Sequence, residues 1–355
     1  MKDAIRGSLV GGAAGDALGY EVEFWSERQI FLTYGKAGIT EYALDPDSKK
    51  AIVSDDTQMT LFTANGILVA ETLGDVDNLR VYVKEAYVDW LLTQKYTMQE
   101  VKEKKDVHSW LLNVPELFAR RAPGNTCLMA LSTDNSKNNS KGCGGVMRVA
   151  PLALRYGRNC KDKELLRLDY ESAQLAAITH GHSLGYMPAA VLNHIISRIL
   201  SSKSTMSLKE IVLESKEAVK EIFAKDVHLD ELTTLIDLAV SLSENDKEDL
   251  DNIHELGEGW VGEEALAIAI YCALKYQDDF SKGVCVAVNH KGDSDSTGAV
   301  FGNIAGAWIG YEAMEEKWKK DLEMMDVILE MAEDLGKPVG EDDEWKRKYV
   351  EINYK

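Results

Sequence analysis

The chain has 355 residues, enough for one large or two ordinary domains, and its 45% hydrophobic and 28% charged residues can bury a substantial core. Acidic residues outnumber basic ones by 59 to 40, and the resulting formal charge of −19 argues against a nucleic-acid binder, because clustered Lys and Arg hold phosphate backbones. Five scattered cysteines without Cys-x-x-Cys spacing, and no apolar run of roughly 18 residues, predict a soluble, cytoplasmic protein without disulfides or a membrane segment.

The first apolar segment and one near the C-terminus both carry a glycine at every fourth position. Glycine inside a helix costs about 1 kcal/mol relative to alanine, so repeated glycines indicate a packing requirement. A spacing of four places them on one helix face, where another backbone can approach closely. We therefore predict two central, tightly packed helices that contain Gly7, Gly11, Gly15 and Gly19, and Gly298, Gly302, Gly306 and Gly310.

Apolar residues at i, i+3, i+4 and i+7 recur along the chain and predict helices. They occupy residues 57–73, 81–93, 171–180, 186–202, 207–223, 229–243, 262–276 and 297–311. Only six prolines occur, and no series of short alternating segments bounded by turn residues indicates a sheet. The prediction is a single all-α domain over residues 1–355, with its most loop-like segment at 132–141.

Two acidic motifs each lie at the start of an apolar helix. They contain Ser54, Asp55 and Asp56 before 57–73, and Asp293, Asp295 and Ser296 before 297–311. Either motif alone is explained by helix capping. Together they indicate more, because buried carboxylates without partners are expensive to ionise. Divalent cations would compensate them, an all-oxygen ligand set favours Mg²⁺ or Mn²⁺ over zinc, and two such ions can activate one water.

Five sequence blocks, in order and covering nearly the whole chain, resemble the ADP-ribosylglycohydrolase family. They are GSLVGGAAGDALGYEVEF (7–24), SDDTQMT (54–60), GCGGVMRVAPLAL (142–154), AAITHGHSLGY (176–186) and HKGDSDSTGAVFGNIAGAWIG (290–310), with a looser sixth, LGEGWVGEEALAIAIY (256–271). This family includes ADP-ribosylarginine and ADP-ribosylserine hydrolases and the glycohydrolase that reactivates dinitrogenase reductase. The resemblance implies a compact, multi-helical all-α fold with two Mg²⁺ or Mn²⁺ ions in a central cleft.

The resemblance also implies the residues of the catalytic centre. The metal ligands would be Ser54, Asp55, Asp56, Asp293, Asp295 and Ser296. Glu23 corresponds to a mobile acid that meets metal or substrate near the reacting carbon, and Asp55 or Asp56 is a plausible base for the attacking water. Asp16 is expected to cap or pin the chain.

The segment before GCGGVMR resembles the family's substrate loop. Backbone N–H groups of a glycine-rich turn can bind a diphosphate without cationic side chains, and the candidates are Ser140, Lys141, Gly142, Cys143 and Gly144. The family often has Asn where this chain has Cys143, and no motif supplies a base for a catalytic thiol. We expect Arg148 to pair with an internal acid rather than with phosphate.

Two further segments are candidates for substrate contact. The family pattern places a substrate-facing histidine at His180, with a helix-end or core histidine as the alternative. Gly259, Trp260 and Val261 resemble the segment that lines the ribose and adenine end of the site. Trp260 would stack on the base there or belong to the core.

The predicted reaction is hydrolysis at the anomeric ribose carbon of an ADP-ribosylated protein or an ADP-ribose derivative. The metals would also offset the repulsion between an anionic substrate and a chain of charge −19. Asp-Ser-Asp-Ser at 293–296 is closer to the arginine-specific branch, so ADP-ribosyl-arginine is favoured. ADP-ribosyl-serine and O-acetyl-ADP-ribose are the alternatives, and a monomer is favoured.

Two other classes of function are less well supported. A phosphatase with an aspartyl nucleophile would place its Asp-x-Asp-x-(Ser/Thr) motif after a strand near the N-terminus, whereas here the motif lies late in a helical chain. A non-catalytic ADP-ribose-binding or structural member of the family would be expected to lose metal ligands. All six candidate ligands are present in this chain.

Overall fold

The computed structural model describes residues 2–104, 107–203, 205–340 and 342–351. Within these ranges every named element is a helix, and extended pairing is limited to two isolated bridges, Ala51–Leu322 and Gly142–Val261. The α-helices are α1 (Lys2–Tyr20), α2 (Glu27–Tyr34), α3 (Asp55–Thr72), α4 (Leu79–Lys95), α5 (Met98–Lys102), α6 (Asn125–Thr133), α7 (Ala150–Tyr156), α8 (Asp162–Ala176), α9 (Ser183–Ser202), α10 (Leu208–Ile222), α11 (Leu229–Ser243), α12 (Asp249–Leu256), α13 (Gly262–Lys275), α14 (Phe280–Val288), α15 (Ser294–Ile309), α16 (Glu316–Lys319), α17 (Met325–Gly336) and α18 (Asp343–Tyr349). Short 3₁₀ helices span Val76–Asn78, Trp110–Asn113, Pro115–Phe118, Cys143–Gly145 and Gly157–Asn159. The all-α prediction is confirmed.

Helices α1 and α15 are the central pair, and they pack against each other more extensively than any other two helices of the described chain. Their glycines face one another, with Gly11 opposite Gly302 and Gly15 opposite Gly298. A Cβ atom added at Gly302 would overlap the carbonyl oxygen of Gly11. The missing side chains therefore let the two backbones touch, and the predicted close packing of the glycine-rich helices is confirmed.

Several helix ends differ from the predicted ones. The predicted helix at 171–180 ends at Ala176, because the next helix starts at Ser183 and His182 caps it by accepting the N–H of Leu184 at Nδ1 (3.1 Å). The helix predicted at 297–311 begins at Ser294, so Asp295 and Ser296 lie inside its first turn rather than before it. The predicted loop at 132–141 is shorter, since α6 continues to Thr133.

Two further observations concern membrane-spanning helices and cysteines. Among the described residues, no helix is long and apolar enough to cross a membrane. The five cysteines are free, and two of them, Cys127 and Cys272, are buried.

Candidate functional site

A cavity of about 690 Å³ opens where the first turns of α3 and α15 meet the segment after α1. Five of the residues that line it carry carboxylates, whereas Arg120 is the one lysine or arginine in the described lining. The lining residues are Glu23, Phe24, Asp55, Asp56, Arg120, Ala122, Pro123, Gly124, Asn125, Thr126, Cys127, Gly142, Cys143, Gly144, Met147, His180, Trp260, Asp293, Asp295 and Ser296. The two acidic motifs, far apart in sequence, thus share one cavity.

A buried hydrogen-bond network fixes the start of α3. Ser54 is the N-cap, and its hydroxyl accepts the N–H of Asp56 (3.2 Å). The fully buried carboxylate of Asp16 accepts the N–H groups of Ser54 (2.9 Å) and Thr57 (3.0 Å) and also the Thr57 hydroxyl. Asp16 therefore pins α3 to α1, as predicted, and orients Asp55 and Asp56 toward the cavity.

The start of α15 is fixed in a similar way. Asp293 is the N-cap, and its side chain accepts the N–H of Ser296 (3.3 Å), while its own N–H donates to the carbonyl of Glu258 (2.9 Å). The N–H of Ser296 also lies 3.0 Å from a carboxylate oxygen of Asp295. The residues that cap the helix thus also line the cavity, which is why the motif alone did not distinguish a helix cap from a candidate site.

The acidic cavity fits a hard divalent cation. Carboxylate oxygens of Glu23, Asp293 and Asp295 lie within 4.8 Å of one another, and all three residues are buried. One oxygen of Glu23 and one of Asp56 are buried without a hydrogen-bond partner in the part of the chain that the structure describes. Buried unpaired oxygens are costly, and a cation is the partner that carboxylate donors favour.

The predicted ligands are brought together only in part. Asp55 and Asp56 line the same cavity but lie outside the closest group of Glu23, Asp293 and Asp295. Ser54 does not line the cavity. The Ser296 hydroxyl does reach it and contacts the sulfur of Met147 (3.8 Å).

Burial and mutual repulsion make the carboxylates hard to ionise. Burial first, and then the charges of Asp293, Asp55 and Asp16, raise the pKa of Glu23 to about 9. Burial is also the main reason why the pKa values of Asp55, Asp56 and Asp295 lie well above the usual range. The cavity therefore carries an electrostatic cost at neutral pH that bound cations would relieve.

We expect the melting temperature (Tm) of metal-free protein to fall between pH 5 and pH 9. Burial raises the pKa of Glu23 from 4.5 to about 9, so its contribution to stability is fully present below 4.5 and is lost as the pH rises to about 9. Burial also raises the pKa of Asp16, from 3.8 to about 6, so the stability that Asp16 contributes is likewise lost as the pH rises, over this lower range. Thermal unfolding in EDTA and in Mg²⁺ measures the effect, and Mg²⁺ should flatten the curve.

The Glu23→Gln variant is the matched control for this pH dependence, because it removes the titrating group and keeps the side-chain shape. Its Tm should fall less than that of the wild type over the same pH range. A wild-type Tm that is constant or rises from pH 5 to pH 9 in EDTA would contradict the electrostatic description of the cavity.

The glycine-rich segment at 140–144 differs from the predicted diphosphate cradle. The N–H of Cys143 donates to the Trp260 carbonyl (3.2 Å), and the N–H of Gly142 donates to the Ser140 hydroxyl (3.4 Å), so two of the five candidate residues already use their N–H groups within the protein. Lys141 points away from the cavity and binds Glu263 (2.5 Å). The segment is held by pairing with the chain at 260–262, which the sequence did not indicate.

Some of the predicted substrate-binding residues line the cavity, and others support its wall. Gly142, Cys143 and Gly144 line the cavity. Ser140 does not line it, and its hydroxyl hydrogen-bonds the Thr126 hydroxyl (2.9 Å). Gly259 and Val261 support the wall without lining it. Gly259 has a φ of +83° and packs on Thr297, and Val261 is the N-cap of α13 and bridges to Gly142.

Cys143 is part of the acidic centre. Its thiol donates to a carboxylate oxygen of Asp293 (2.8 Å). Burial, reinforced by the charges of Asp293 and Asp56, raises the pKa of this thiol well above its usual value. A protonated thiol is a poor nucleophile, which agrees with the prediction that Cys143 is not a catalytic cysteine.

His180 lines the cavity and is neutral. Burial, with the charge of Arg148 as a second cause, lowers its pKa to about 3, and its Nδ1 lies 2.9 Å from the Thr179 hydroxyl. Arg148 is fully buried and donates to the same hydroxyl (2.6 Å). The predicted acidic partner of Arg148 is wrong, because no ion pair joins it to a described carboxylate and it lies instead over the Tyr87 ring at 4.3 Å.

An aromatic pair stands at the edge of the cavity. Trp260 is 39% exposed and stacks on Phe24, with ring centroids 5.9 Å apart, so it is not a core residue. The sequence did not single out Phe24, although a large apolar residue directly after Glu23 was a signal. Arg120 and the segment 122–126, which leads into α6, were also missed, since a Pro-Gly-Asn sequence is more often a plain turn.

Comparisons with known proteins agree with the resemblance. A family model described as ADP-ribosylglycohydrolase matches residues 1–344. The chain is 25% identical to ADP-ribosylhydrolase ARH3 of Bos taurus, covering 90% of this chain and 88% of that protein. It is 24% identical to the ADP-ribosyl-dinitrogen reductase glycohydrolase of Rhodospirillum rubrum, covering 91% and 92%. A solved structure of an ADP-ribosylglycohydrolase-related protein complex shares the fold, with a TM-score of 0.63 at 23% identity over 94% of this chain and 97% of that one.

Proposed function

This chain belongs to the ADP-ribosylglycohydrolase family, whose members hydrolyse glycosidic bonds, and from that premise we propose a hydrolase that uses two divalent cations to release ADP-ribose from modified proteins. The observation that carries the proposal is the convergence of two acidic helix starts with Glu23 in one cavity. The buried, unpartnered oxygens of Glu23 and Asp56 support a cation there. Mg²⁺ or Mn²⁺ suits such oxygen donors.

The proposed roles follow from the positions of the side chains. Asp293, Asp295 and Glu23 would hold one ion, and Asp55, Asp56 and the hydroxyl of Ser296 would complete the set. Ser54, the sixth predicted ligand, caps α3 and does not line the cavity, so it would act by positioning Asp55 and Asp56. Such ions, when bound, lower the pKa of a coordinated water and act as Lewis acids.

Asp56 is the better-placed base for the attacking water. One of its oxygens has no partner, whereas Asp55 accepts the N–H of Gly124 (3.4 Å). The surrounding carboxylates would stabilise positive charge that develops on the ribose as the glycosidic bond breaks. Neutral His180 can exchange hydrogen bonds with the substrate without adding charge.

The proposed linkage is ADP-ribosyl-arginine. The Asp-Ser-Asp-Ser sequence at 293–296 supports it, because it is closer to the arginine-specific branch of the family. ADP-ribosyl-serine and O-acetyl-ADP-ribose are the alternatives that the family resemblance implies. The packing of α1 against α15 supports a single domain over residues 1–355, and a cytoplasmic monomer stays a prediction.

Release of free ADP-ribose tests the proposed function directly. Protein stripped with EDTA would be incubated with ADP-ribosyl-arginine peptide, ADP-ribosyl-serine peptide and O-acetyl-ADP-ribose, with and without Mg²⁺ or Mn²⁺, and the products separated by chromatography. We expect release from the arginine peptide only when metal is added. Release from another substrate alone would overturn the linkage, and no release from any of the three would favour a non-catalytic family member.

A further inference from the structure

A second pocket, of about 480 Å³, lies on the other side of the substrate loop between α11 and the start of α13. Four acids line it: Asp230, Glu231, Glu263 and Glu264. Lys141 is its one basic residue. The pocket therefore carries an excess of negative charge that its own residues do not balance.

Glu263 distinguishes this pocket from an ordinary acidic surface because its carboxylate is buried. The residue is 3% exposed, and one of its oxygens accepts the Lys141 ammonium (2.5 Å). The other oxygen is buried without a hydrogen-bond partner among the described residues. An unpaired, buried carboxylate oxygen costs free energy, so the pocket lacks one cationic or hydrogen-bond-donating partner.

Part of the pocket lining is apolar. Leu235 and Leu238 of α11 and Leu256 of α12 line it and pack against the core. An acidic end with an aliphatic wall matches a lysine or arginine side chain, whose methylene stem packs on apolar surface while its charged head pairs with carboxylates. A hydrated metal ion would gain nothing from the leucines.

The pocket adjoins the catalytic cavity through a thin wall. Gly142 lines the cavity and bridges to Val261, and the N–H of Gly262 donates to the carbonyl of Lys141 (2.8 Å). Lys141 and Glu263, on either side of that pairing, face the second pocket. A polypeptide whose modified residue enters the cavity thus passes close to the acidic pocket.

We infer that the acidic pocket binds a basic side chain of the ADP-ribosylated protein and so selects substrates with a lysine or arginine near the modified residue. Because the ligand is part of the protein substrate, this role rests on the proposed function. The proposed ligand is a protein side chain. The experiment below distinguishes it from a free cation, such as Mg²⁺ or a polyamine, that could occupy the pocket instead.

Paired peptides test the selection. Peptides that carry the linkage which the wild-type enzyme hydrolyses would be made with lysines flanking the modified residue or with glutamines in their place. We expect a preference of about tenfold in kcat/KM for the lysine peptides, the size of one charge-assisted hydrogen bond. The preference should shrink in 0.5 M NaCl, because partly exposed charges are screened.

The variants Asp230→Asn/Glu231→Gln and Glu263→Gln should each reduce that preference to about twofold or less. The double variant changes only exposed side chains, so it keeps the test valid if Glu263→Gln does not fold. Asp237→Asn is the matched control, because Asp237 lies on α11, pairs with Lys216 and does not line the pocket, and it should keep the preference.

Three outcomes would overturn the inference: equal kcat/KM for both peptides in the wild type, an undiminished preference in the double variant, or loss of the preference when spermine is added, or Mg²⁺ is raised above the concentration that saturates activity, at constant ionic strength. A failure of the proposed function looks different, since the wild type would then release ADP-ribose from no peptide.

Discussion

Asp55→Asn should lower kcat/KM by at least about a hundredfold and, in the same protein, raise the Tm of the metal-free form at pH 8. The activity falls because a proposed metal ligand and its charge are lost. The stability rises because burial raises the pKa of Asp55 well above the usual range, and Asn has no charge to bury. Asn also keeps an oxygen that can accept the N–H of Gly124.

Steady-state kinetics, thermal unfolding in EDTA and calorimetric titration with Mn²⁺ together measure this prediction. A variant that had misfolded would lose activity and Tm together, so opposite signs identify a ligand role. Asp47→Asn, an exposed substitution away from the cavity, should change neither quantity. Unchanged Mn²⁺ affinity in Asp55→Asn would remove Asp55 from the ligand set.

Gly302→Ala should lower the free energy of unfolding by about 3 kcal/mol, because overpacking a close interface forces the backbones apart. A Cβ at this position would overlap the carbonyl oxygen of Gly11, and neither backbone can move as a flexible side chain would. Urea denaturation followed by circular dichroism measures the change. Activity should fall as well, since α15 carries Asp295 and Asp16 of α1 holds the start of α3, where Asp55 and Asp56 lie.

Gly336→Ala in α17 is the matched control for the glycine interface. The nearest atoms to a Cβ there are the side-chain Ile5 Cδ1 at 3.4 Å and Lys2 Cγ at 3.8 Å, an ordinary contact distance. Alanine is also the better helix former, so this variant should be as stable as the wild type or slightly more stable. Equal losses in the two variants would show that glycine-to-alanine changes act through something other than the α1–α15 contact.

The sequence predicted the central helices and the acidic motifs because both depend on short-range patterns. Glycines four residues apart share one helix face whatever the tertiary structure, and Ser54 before two aspartates is a recognisable helix start. The patterns predicted tight packing of the two glycine-rich helices and a pinning role for Asp16, whereas the Gly11–Gly302 contact and the bond from Ser54 to Asp16 came from the structure.

The substrate loop was predicted less well because its geometry depends on a distant segment. The N–H of Cys143 is used by the carbonyl of Trp260, and Lys141 is drawn to Glu263, two contacts that no local pattern encodes. Arg148 illustrates the same limit, since a buried guanidinium was expected to find a carboxylate and instead lies over the Tyr87 ring. Partners far apart in sequence are set by the fold as a whole.

The contact between Gly11 and Gly302 also bears on how the protein is made. The two residues are 302 − 11 = 291 positions apart, so a ribosome adding about 5 to 20 residues per second exposes α1 roughly 15 to 60 s before its partner helix exists. During that interval the glycine-lined face of α1 has no native surface to cover it. The acidic cavity is equally late, because Asp293 is the N-cap of α15 and Asp295 lies in its first turn. The α1–α15 contact and the complete cavity therefore form only when translation is mostly complete.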